Sequence, residues 1–195
     1  MAWPRQVLHL SGYRMKTDLS TFNNDWYKPG APLLKRVCWY CLSAVFFTSR
    51  FPGNRLKIFL LRLFGAKIGK KVVVKPSVNI KSPWLLEVGD YSWIGEAVWI
   101  DNLVRVRIGR HACISQGAML LTGNHNYKKT TFDLVTGEII IEDGAWVGAK
   151  AIMCPGVTCG SHALLTVGSV ATGRLEPYGI YRGNPAVKIR DRVIC

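Results

Sequence analysis

Residues 141–165 read IEDGAWVGAKAIMCPGVTCGSHALL, and in this stretch an apolar residue recurs at every sixth position. The recurring residues are Ile141, Val147, Met153, Cys159 and Leu165. A period of six fits neither an amphipathic α-helix, which repeats about every 3.6 residues, nor a simple β-strand, which repeats about every 2. It is typical of a parallel β-helix, in which short strands form the flat faces of a prism around an apolar core.

The same repeat fills the chain upstream of this stretch. Apolar residues recur there in groups of three, and successive groups begin twenty residues apart, at Ile68, Val88 and Ile108. Extra residues therefore fall at one corner of each coil. Four positions after each aliphatic residue stands a mostly small or β-branched residue, which allows a tight corner. We therefore predict a mainly β chain with a β-helix over residues 68–173.

One insertion interrupts the repeat, over residues 121–140, and it contains His125. A regular scaffold with a single histidine loop suggests a catalytic site mounted on a rigid frame. His111 and His162 stand at corners of ordinary repeats, and His9 lies near the N-terminus. Taken alone, a loop histidine more often caps a turn than acts as a base, so the insertion by itself leaves both interpretations open.

Several segments in combination resemble the hexapeptide-repeat acyltransferases, although each segment alone is a weak signal. They are Ile141-Glu-Asp-Gly-Ala-Trp-Val-Gly-Ala, Pro155-Gly-Val-Thr-Cys-Gly, Val167-Gly-Ser-Val and Gly183-Asn-Pro-Ala. A narrower resemblance, to the colanic acid (WcaF-like) O-acetyltransferases, rests on Thr122-Gly-Asn-His-Asn-Tyr, Thr131-Phe-Asp-Leu and Phe22-Asn-Asn-Asp-Trp-Tyr. The resemblance covers residues 16–192. It implies a left-handed β-helix, acetyl-CoA as the donor, and a homotrimer with active sites between subunits.

The resemblance also implies roles for individual residues. The family's catalytic histidine falls at His125, and histidine suits a general base because its side chain titrates near neutral pH. The family's oxyanion-binding group falls at the backbone N–H of Ala149. The implied coenzyme contacts are Ala149, Val167, Thr172, Arg174 and Arg190. Many relatives have lysine after the threonine, whereas this chain has Gly173 and then Arg174, so the phosphate partner stays open.

The implied acceptor contacts are Asp101, Asn102 and Asn124. Asn124 directly precedes the histidine. Asp101 and Asn102 stand at a corner one coil earlier, and neighbouring coils lie only about 4.8 Å apart, so these side chains can approach His125. An Asp-Asn pair is also a common turn former, and that structural interpretation has almost equal weight.

The predicted reaction transfers an acetyl group from acetyl-CoA to a saccharide hydroxyl, in exopolysaccharide or surface polysaccharide biosynthesis. The thioester is already activated, so the enzyme has to remove a proton, stabilise an oxyanion and hold two substrates together. No metal is required, and Cys38 with Cys41 lacks the second pair of a tetrahedral zinc site. Two alternatives stay open: an N-acyltransferase acting on an amino sugar or amino acid, and a non-enzymatic trimeric β-helix scaffold.

The N-terminal part of the chain has a different composition. Residues 1–75 hold 14 lysines and arginines against two aspartates, and the whole chain has a formal net charge of +14. The N-terminal helical segment, residues 16–67, contains two predicted helices between residues 33 and 64. These basic helices either contact anionic lipid or merely cap the open end of the β-helix. No nucleic-acid-binding motif is evident, so nucleic acid is a poor third candidate.

We expect a cytoplasmic protein, with a peripheral position at the inner face of the membrane if the helices contact lipid. The acceptor is then a free or a lipid-linked saccharide. The apolar core of the first helix, residues 37–49, is short for a bilayer span, which needs about 20 residues. Residues 1–15 match nothing in the family and form a predicted tail, and residues 174–195 form a predicted C-terminal tail packed on the β-helix.

Overall fold

The computed structural model describes residues 15–195, so the predicted tail, residues 1–15, lies almost entirely outside the described residues. From Lys67 onward the chain winds into a parallel β-helix with three faces, each of them a sheet built mainly from strands of two or three residues. The prediction of a mainly β chain with N-terminal helices is confirmed.

The strands are numbered in chain order and are grouped by face. Face A consists of β1 (Lys67–Ile68), β4 (Leu86–Val88), β7 (Val106–Ile108), β12 (Ile139–Ile141) and β15 (Thr158–Cys159). Face B consists of β2 (Val73–Val74), β5 (Trp93–Ile94), β8 (Cys113–Ile114), β13 (Trp146–Val147), β16 (Leu164–Leu165), β18 (Gly179–Gly183) and β19 (Ala186–Asp191). Face C consists of β3 (Asn79–Ile80), β6 (Trp99–Asp101), β9 (Met119–Leu121), β14 (Ile152–Met153) and β17 (Val170–Ala171). Pairing is parallel throughout these faces except between β18 and β19.

The apolar residues of the repeat form the core of the prism. From Val74 to Leu165 each of them is at most 3% exposed. The small residues two positions before them, such as Ser92, Ala112 and Ala145, are buried as well, because side chains two apart on a strand point to the same side. The small residues therefore do more than ease the corners: they share the narrow interior with the larger side chains.

The chain turns between faces at residues with a left-handed backbone conformation. These residues stand three positions after the aliphatic residue of each repeat, as do Lys71 (φ 52°), His111 (φ 53°) and His162 (φ 58°). A non-glycine residue with positive φ is uncommon. Its regular recurrence here shows that the stacking of the coils overrides local preference, and it places His111 and His162 at corners, away from the insertion.

The extra residues of the twenty-residue spacing lie at the corner between faces C and A. In the first coil the chain passes this corner through the short 3-10 turn Pro83–Leu85, and in the second it passes through Leu103. The inserted loop leaves the prism at the same corner, between β9 and β12. The first three coils therefore all carry extra residues at this corner, and the insertion in the third coil is the longest.

Two helices, α1 (Leu33–Phe46) and α2 (Asn54–Leu63), cover the open N-terminal end of the prism. Without a cover, the first strand on each face would present unpaired backbone groups. Trp39 of α1 meets this need on face C, because its indole Nε1 donates to the carbonyl oxygen of Ile80 at 2.8 Å. The indole ring is 2% exposed, so the bond is shielded from water.

Faces A and B are covered by polar side chains of α2. Asn54 imitates a neighbouring strand on face B, since its side chain accepts from the N–H of Val74 at 2.7 Å and donates to the carbonyl oxygen of Val72 at 3.1 Å. Arg62 donates to the carbonyl oxygen of Ile68 on face A at 2.9 Å. Each face therefore begins with a hydrogen-bonded partner, and the helices act as a structural cap.

Lys57 is an unusual member of this cap because its side chain is fully buried. Its ammonium donates to the carbonyl oxygen of Lys75 at 3.0 Å. Burial lowers the pKa of the Lys57 ammonium, because the charged form is poorly solvated there. This lysine is consequently unavailable to any partner outside the protein.

Candidate active site

The inserted loop is a β-hairpin, in which β10 (Gly123–His125) pairs antiparallel with β11 (Leu134–Thr136). A hydrogen-bonded ladder fixes the positions of side chains more firmly than an irregular loop of the same length does. His125 is the last residue of β10 and is half-buried. The predicted catalytic histidine is therefore held on a rigid arm that rises from the corner between faces C and A.

One hydrogen bond determines the tautomer of His125. Its Nδ1 lies 2.9 Å from the carbonyl oxygen of Phe132. A carbonyl oxygen only accepts, so Nδ1 carries the proton and the neutral ring keeps its lone pair on Nε2. Nε2 is thus the atom that can take a proton from a substrate, and the carbonyl of Phe132 stabilises the imidazolium that results.

Two phenylalanines fix the orientation of the imidazole ring. Phe132 stacks on it with ring centroids 4.4 Å apart, and Phe22 packs against it at 5.7 Å. Phe132 has φ 51°, which is strained for a bulky residue and is the kind of outlier that clusters at functional sites. In this conformation Phe132 contacts His125 in two ways, through its ring and through its carbonyl oxygen.

The tip of the hairpin is ordered by local bonds and by the N-terminal segment. The carboxylate of Asp133 accepts from Lys129 and Thr131, and these bonds, the Lys129 bond first, lower the pKa of the Asp133 carboxyl. The N–H of Asp18 donates to the carbonyl oxygen of Thr130 at 2.8 Å. The chain that precedes the helices therefore lies across the hairpin and brings Phe22 to the histidine.

The two residues predicted at the acceptor corner have different environments. Asp101 is half-buried, and its carboxylate forms an ion pair with Lys81 at 2.8 Å. Asn102 is fully buried, and its side-chain amide both accepts from and donates to the backbone of Ser82. Asp101 can therefore reach a ligand directly, whereas Asn102 can act only by holding the corner. Asn124 is exposed, and its side-chain oxygen accepts from the N–H of His125.

The residues predicted to bind coenzyme A do not form one cluster within the chain. Ala149 and Val167 occupy the corner between faces B and C on consecutive coils, linked by a bond from Gly168 N–H to Ala149 O of 2.9 Å. Thr172 and Arg174 are exposed beyond the last strand of face C, and Arg190 is exposed on β19. Arg174 pairs with Glu176 at 3.3 Å.

The predicted catalytic histidine and the predicted oxyanion group leave the prism at different edges. His125 belongs to the corner between faces C and A, and Ala149 belongs to the corner between faces B and C. Roughly six residues separate adjacent corners, and a strand rises about 3.3 Å per residue, so the edges are at most about 20 Å apart. One substrate cannot contact both edges of the same prism easily.

The three cysteine thiols of the prism, Cys113, Cys154 and Cys159, are poor competitors of His125. Burial raises the pKa of the Cys159 thiol to about 12, and it also raises the pKa values of Cys113 and Cys154. These thiols are therefore protonated near neutral pH and are poor nucleophiles. Across residues 15–195 no three His, Cys, Asp or Glu side chains are grouped as metal ligands.

Two depressions mark the surface of the described chain. The larger, about 810 Å³, is an open hollow along face A whose walls include the backbone of Gly69, Gly89 and Gly109. It lies away from the hairpin, and its carboxylates are already bonded: Glu142 and Asp143 accept from backbone N–H groups, and Glu87 accepts from Lys67. The smaller, about 660 Å³, lies between α1 and face C and reaches the acceptor corner. The smaller one is the better candidate for a ligand.

Comparison with known proteins identifies the family of this chain. No family model matches the chain. The acetyltransferase WcaF of Escherichia coli K12, assigned to colanic acid biosynthesis, is 40% identical over 177 residues, which cover 90% of this chain and 97% of that protein. The chain belongs to the WcaF acetyltransferase family. The galactoside O-acetyltransferase of E. coli is a more distant relative, 24% identical over 68% of this chain and 66% of that protein.

Solved structures confirm the fold of this WcaF family member. A maltose O-acetyltransferase from Clostridium difficile matches with a TM-score of 0.75 at 19% identity, over 83% of this chain and 88% of that chain. A hexapeptide-repeat acetyltransferase from Vibrio cholerae, solved with acetyl coenzyme A, matches with a TM-score of 0.74 at 22% identity and the same coverage. The hexapeptide-repeat β-helix predicted from the sequence is therefore confirmed.

The sequence singled out His125 as a candidate but did not show which residues position its ring. Phe132 acts partly through a backbone carbonyl, which any residue carries, so its role has no side-chain signature. The available signal was that Phe132 and Phe22 both lie in segments with the narrower family resemblance. The sequence could suggest that these two aromatic residues lie close together. Their contacts with the His125 ring were visible only in the structure.

Proposed function

We propose that this protein is an acetyl-CoA-dependent O-acetyltransferase that acts on a saccharide in the biosynthesis of an exopolysaccharide or surface polysaccharide. The observation that carries the proposal is the geometry of His125, whose Nδ1 is bonded to the carbonyl of Phe132 so that Nε2 is left as the base. Membership of the WcaF acetyltransferase family supplies the reaction class.

In the proposed mechanism His125 Nε2 accepts the proton of the sugar hydroxyl as the oxygen attacks the thioester carbonyl. A C–O bond forms, and the negative charge moves to the carbonyl oxygen, where the N–H of Ala149 donates to it. Collapse of this intermediate breaks the C–S bond. The coenzyme A thiolate then takes the proton from the imidazolium, which returns His125 to its starting state.

This mechanism requires a second copy of the chain, because His125 and Ala149 lie at different edges of one prism. We propose the trimer that the family resemblance implies, with the hairpin of one subunit facing the corner of Ala149 in the next. An exposed tryptophan supports such a contact, since Trp146 on face B is 40% exposed. Single exposed side chains are ordinary, but large aromatic rings are enriched at protein interfaces.

Peripheral contact with an anionic membrane, and with it a lipid-linked acceptor, is a further part of the proposal. The outer side of the helices exposes large apolar side chains, namely Leu34, Tyr40, Val45, Phe59 and Leu63. Arg50 and Arg55 are exposed beside them. This combination is typical of amphipathic helices that lie in a membrane interface. Within the described residues no helix is long and apolar enough to cross a bilayer.

The decisive experiment incubates the protein with acetyl-CoA and a panel of free and lipid-linked glycans. Release of the coenzyme A thiol is followed, and the products are analysed by mass spectrometry. We expect acetyl esters that mild alkali removes. Alkali-stable amides would instead identify an N-acyltransferase, and the absence of thiol release with every glycan and amino sugar would favour a scaffold.

A further inference from the structure

The groove between α1 and face C has the make-up of a carbohydrate-binding site. Its volume is about 660 Å³. Five of its lining residues are aromatic side chains with polar edges: Tyr27, Trp39, Tyr40, Trp84 and Trp99. A sugar ring has apolar C–H faces and a rim of hydroxyl groups, so it packs on aromatic surfaces while it hydrogen-bonds at its edges.

Charged groups stand where the rim of a sugar would lie. Asp101 and Lys81 form an ion pair at 2.8 Å on the face C side of the groove. Arg36 lines the opposite side and forms no ion pair with any described residue. These side chains offer several hydrogen-bond donors and one carboxylate acceptor.

The hydroxyl of Tyr27 connects the groove to the rest of the protein. It donates to the carbonyl oxygen of Leu103 at 3.0 Å. Burial raises the pKa of Tyr27, an effect that Arg36 opposes and Asp101 reinforces, so both charges lie near this hydroxyl. The aromatic and charged walls therefore meet around one tyrosine that the corner of the prism holds in place.

The groove is continuous with the corner that carries the catalytic hairpin. The backbone carbonyl of Asp101 accepts from both the N–H and the hydroxyl of Thr122, the residue that directly precedes β10. Asp101 thus joins the end of the groove to the base of the arm that holds His125. The groove and the base of the hairpin therefore share Asp101 as a common boundary.

We propose that this groove is a second saccharide subsite, which binds a sugar residue of the acceptor next to the one that is acetylated. The inference rests on the proposed function and specifies its substrate class: an oligosaccharide rather than a free monosaccharide. A lipid chain is a poorer occupant, because it would place apolar carbon against the Asp101–Lys81 pair and the Arg36 guanidinium, whose charges would lose water without gaining hydrogen bonds. A second copy of this chain is the other occupant that the experiment has to test.

The test measures how acetyl transfer depends on acceptor length, using mono-, di- and trisaccharides of glucose and of galactose. For the wild type we expect KM to fall with length by roughly five- to tenfold, the size of a lost or gained aromatic contact. Trp99→Ala and Arg36→Gln should lose this gain while kcat/KM for the monosaccharide is unchanged. Trp93→Ala, an exposed tryptophan on another face, and Arg50→Gln are the matched controls and should keep it.

Binding is measured separately from chemistry by titrating the same saccharides into His125→Ala protein and following tryptophan fluorescence. We expect trisaccharides to quench the signal, and Trp99→Ala in the same background to remove most of that change. Quenching without acetyl transfer by the wild type would count against the proposed reaction and for the subsite. Transfer with the same length dependence in wild type and both groove variants would overturn the subsite, as would no quenching by any trisaccharide. A loss of oligomer on sedimentation of Trp99→Ala alone would assign the groove to a subunit contact instead.

Discussion

The helical cap and the hairpin that carries His125 both depart from the six-residue repeat, and they attach to it in opposite ways. The cap is bonded to the prism through side chains, as Asn54 and Lys57 donate to or accept from the backbone of the first coil. The hairpin instead completes its own hydrogen bonds within the ladder of β10 and β11. The cap therefore completes the fold, whereas the hairpin projects from the prism.

This difference predicts how mutations divide. A residue of the cap satisfies backbone groups that would otherwise lack partners, so its loss should lower the free energy of unfolding. A residue of the hairpin contacts mostly other hairpin residues and the N-terminal segment, so its loss should impair chemistry and leave the prism folded. Stability and catalysis are therefore expected to separate by region.

The largest expected effect is that of His125→Ala on the hairpin. Removal of the general base should reduce turnover by about 100-fold or more, because proton transfer by a positioned side chain contributes on the order of 10² to 10⁴. The melting temperature and the binding of coenzyme A should stay close to those of the wild type. Thiol release and thermal melting measure the two quantities, and turnover above about one percent of wild type would exclude His125 as the base.

Asn54→Ala should show the reverse pattern in the cap. It removes the partners of Val72 and Val74, so we expect the free energy of unfolding to fall by about 1–3 kcal/mol. Arg55→Gln is the matched control, because Arg55 is the next residue in the same helix and is exposed, and it should change stability by less than about 0.5 kcal/mol. Urea unfolding compares them, and equal midpoints would show that the cap does not stabilise the prism through Asn54.

Lys57 allows a test of the cap by pH. Its pKa is lowered in the folded protein, so between that value and the unfolded value the unfolded chain binds more protons. Stability should therefore rise with pH across this window, and the gain should be complete above the unfolded pKa. Lys57→Met keeps the apolar stem and should abolish the contribution. Urea unfolding at several alkaline pH values compares the variant with the wild type, and parallel pH profiles for the two proteins would contradict the assignment.

The prism could be predicted because its information is local and repeated. Each six-residue repeat requires one large and one small inward side chain. An atypical residue such as Cys159 therefore does not obscure the pattern, because Val147 and Leu165 conform to it. The hairpin was found for the complementary reason, as the one place where the repeat fails. Both conclusions needed only spacing, whereas the left-handed corners and the ring contacts of His125 depend on how coils stack.

The role of the cap was harder to predict because lysine and arginine residues fit both a membrane contact and a structural cap. A basic residue beside apolar ones fits a membrane surface, and the same residue fits a bond to a strand carbonyl, as Arg62 makes. A signal for Lys57 was present: it falls three and four residues before Leu60 and Leu61, on the buried stripe of α2. A charge at an apolar position of an amphipathic helix indicates a buried partner rather than a solvated surface.

The smallest expected effect decides whether the cap has a second role at a membrane. Lys57 and Arg62 are bonded to the prism, Lys35 lies over the Trp84 ring and Arg36 lines the groove. Arg50, between the helices, and Arg55 of α2 are therefore the cations to test, and each should contribute about 1 kcal/mol to binding of an anionic surface. Arg55→Gln should therefore weaken binding to phosphatidylserine-containing vesicles about fivefold at low salt and leave binding to neutral vesicles unchanged. Lys150→Gln, an exposed corner residue on the prism, is the control and should float like the wild type. Equal flotation of Arg55→Gln, Lys150→Gln and wild type at every ionic strength would reduce the helices to a cap, because a solvated cation away from lipid contributes little.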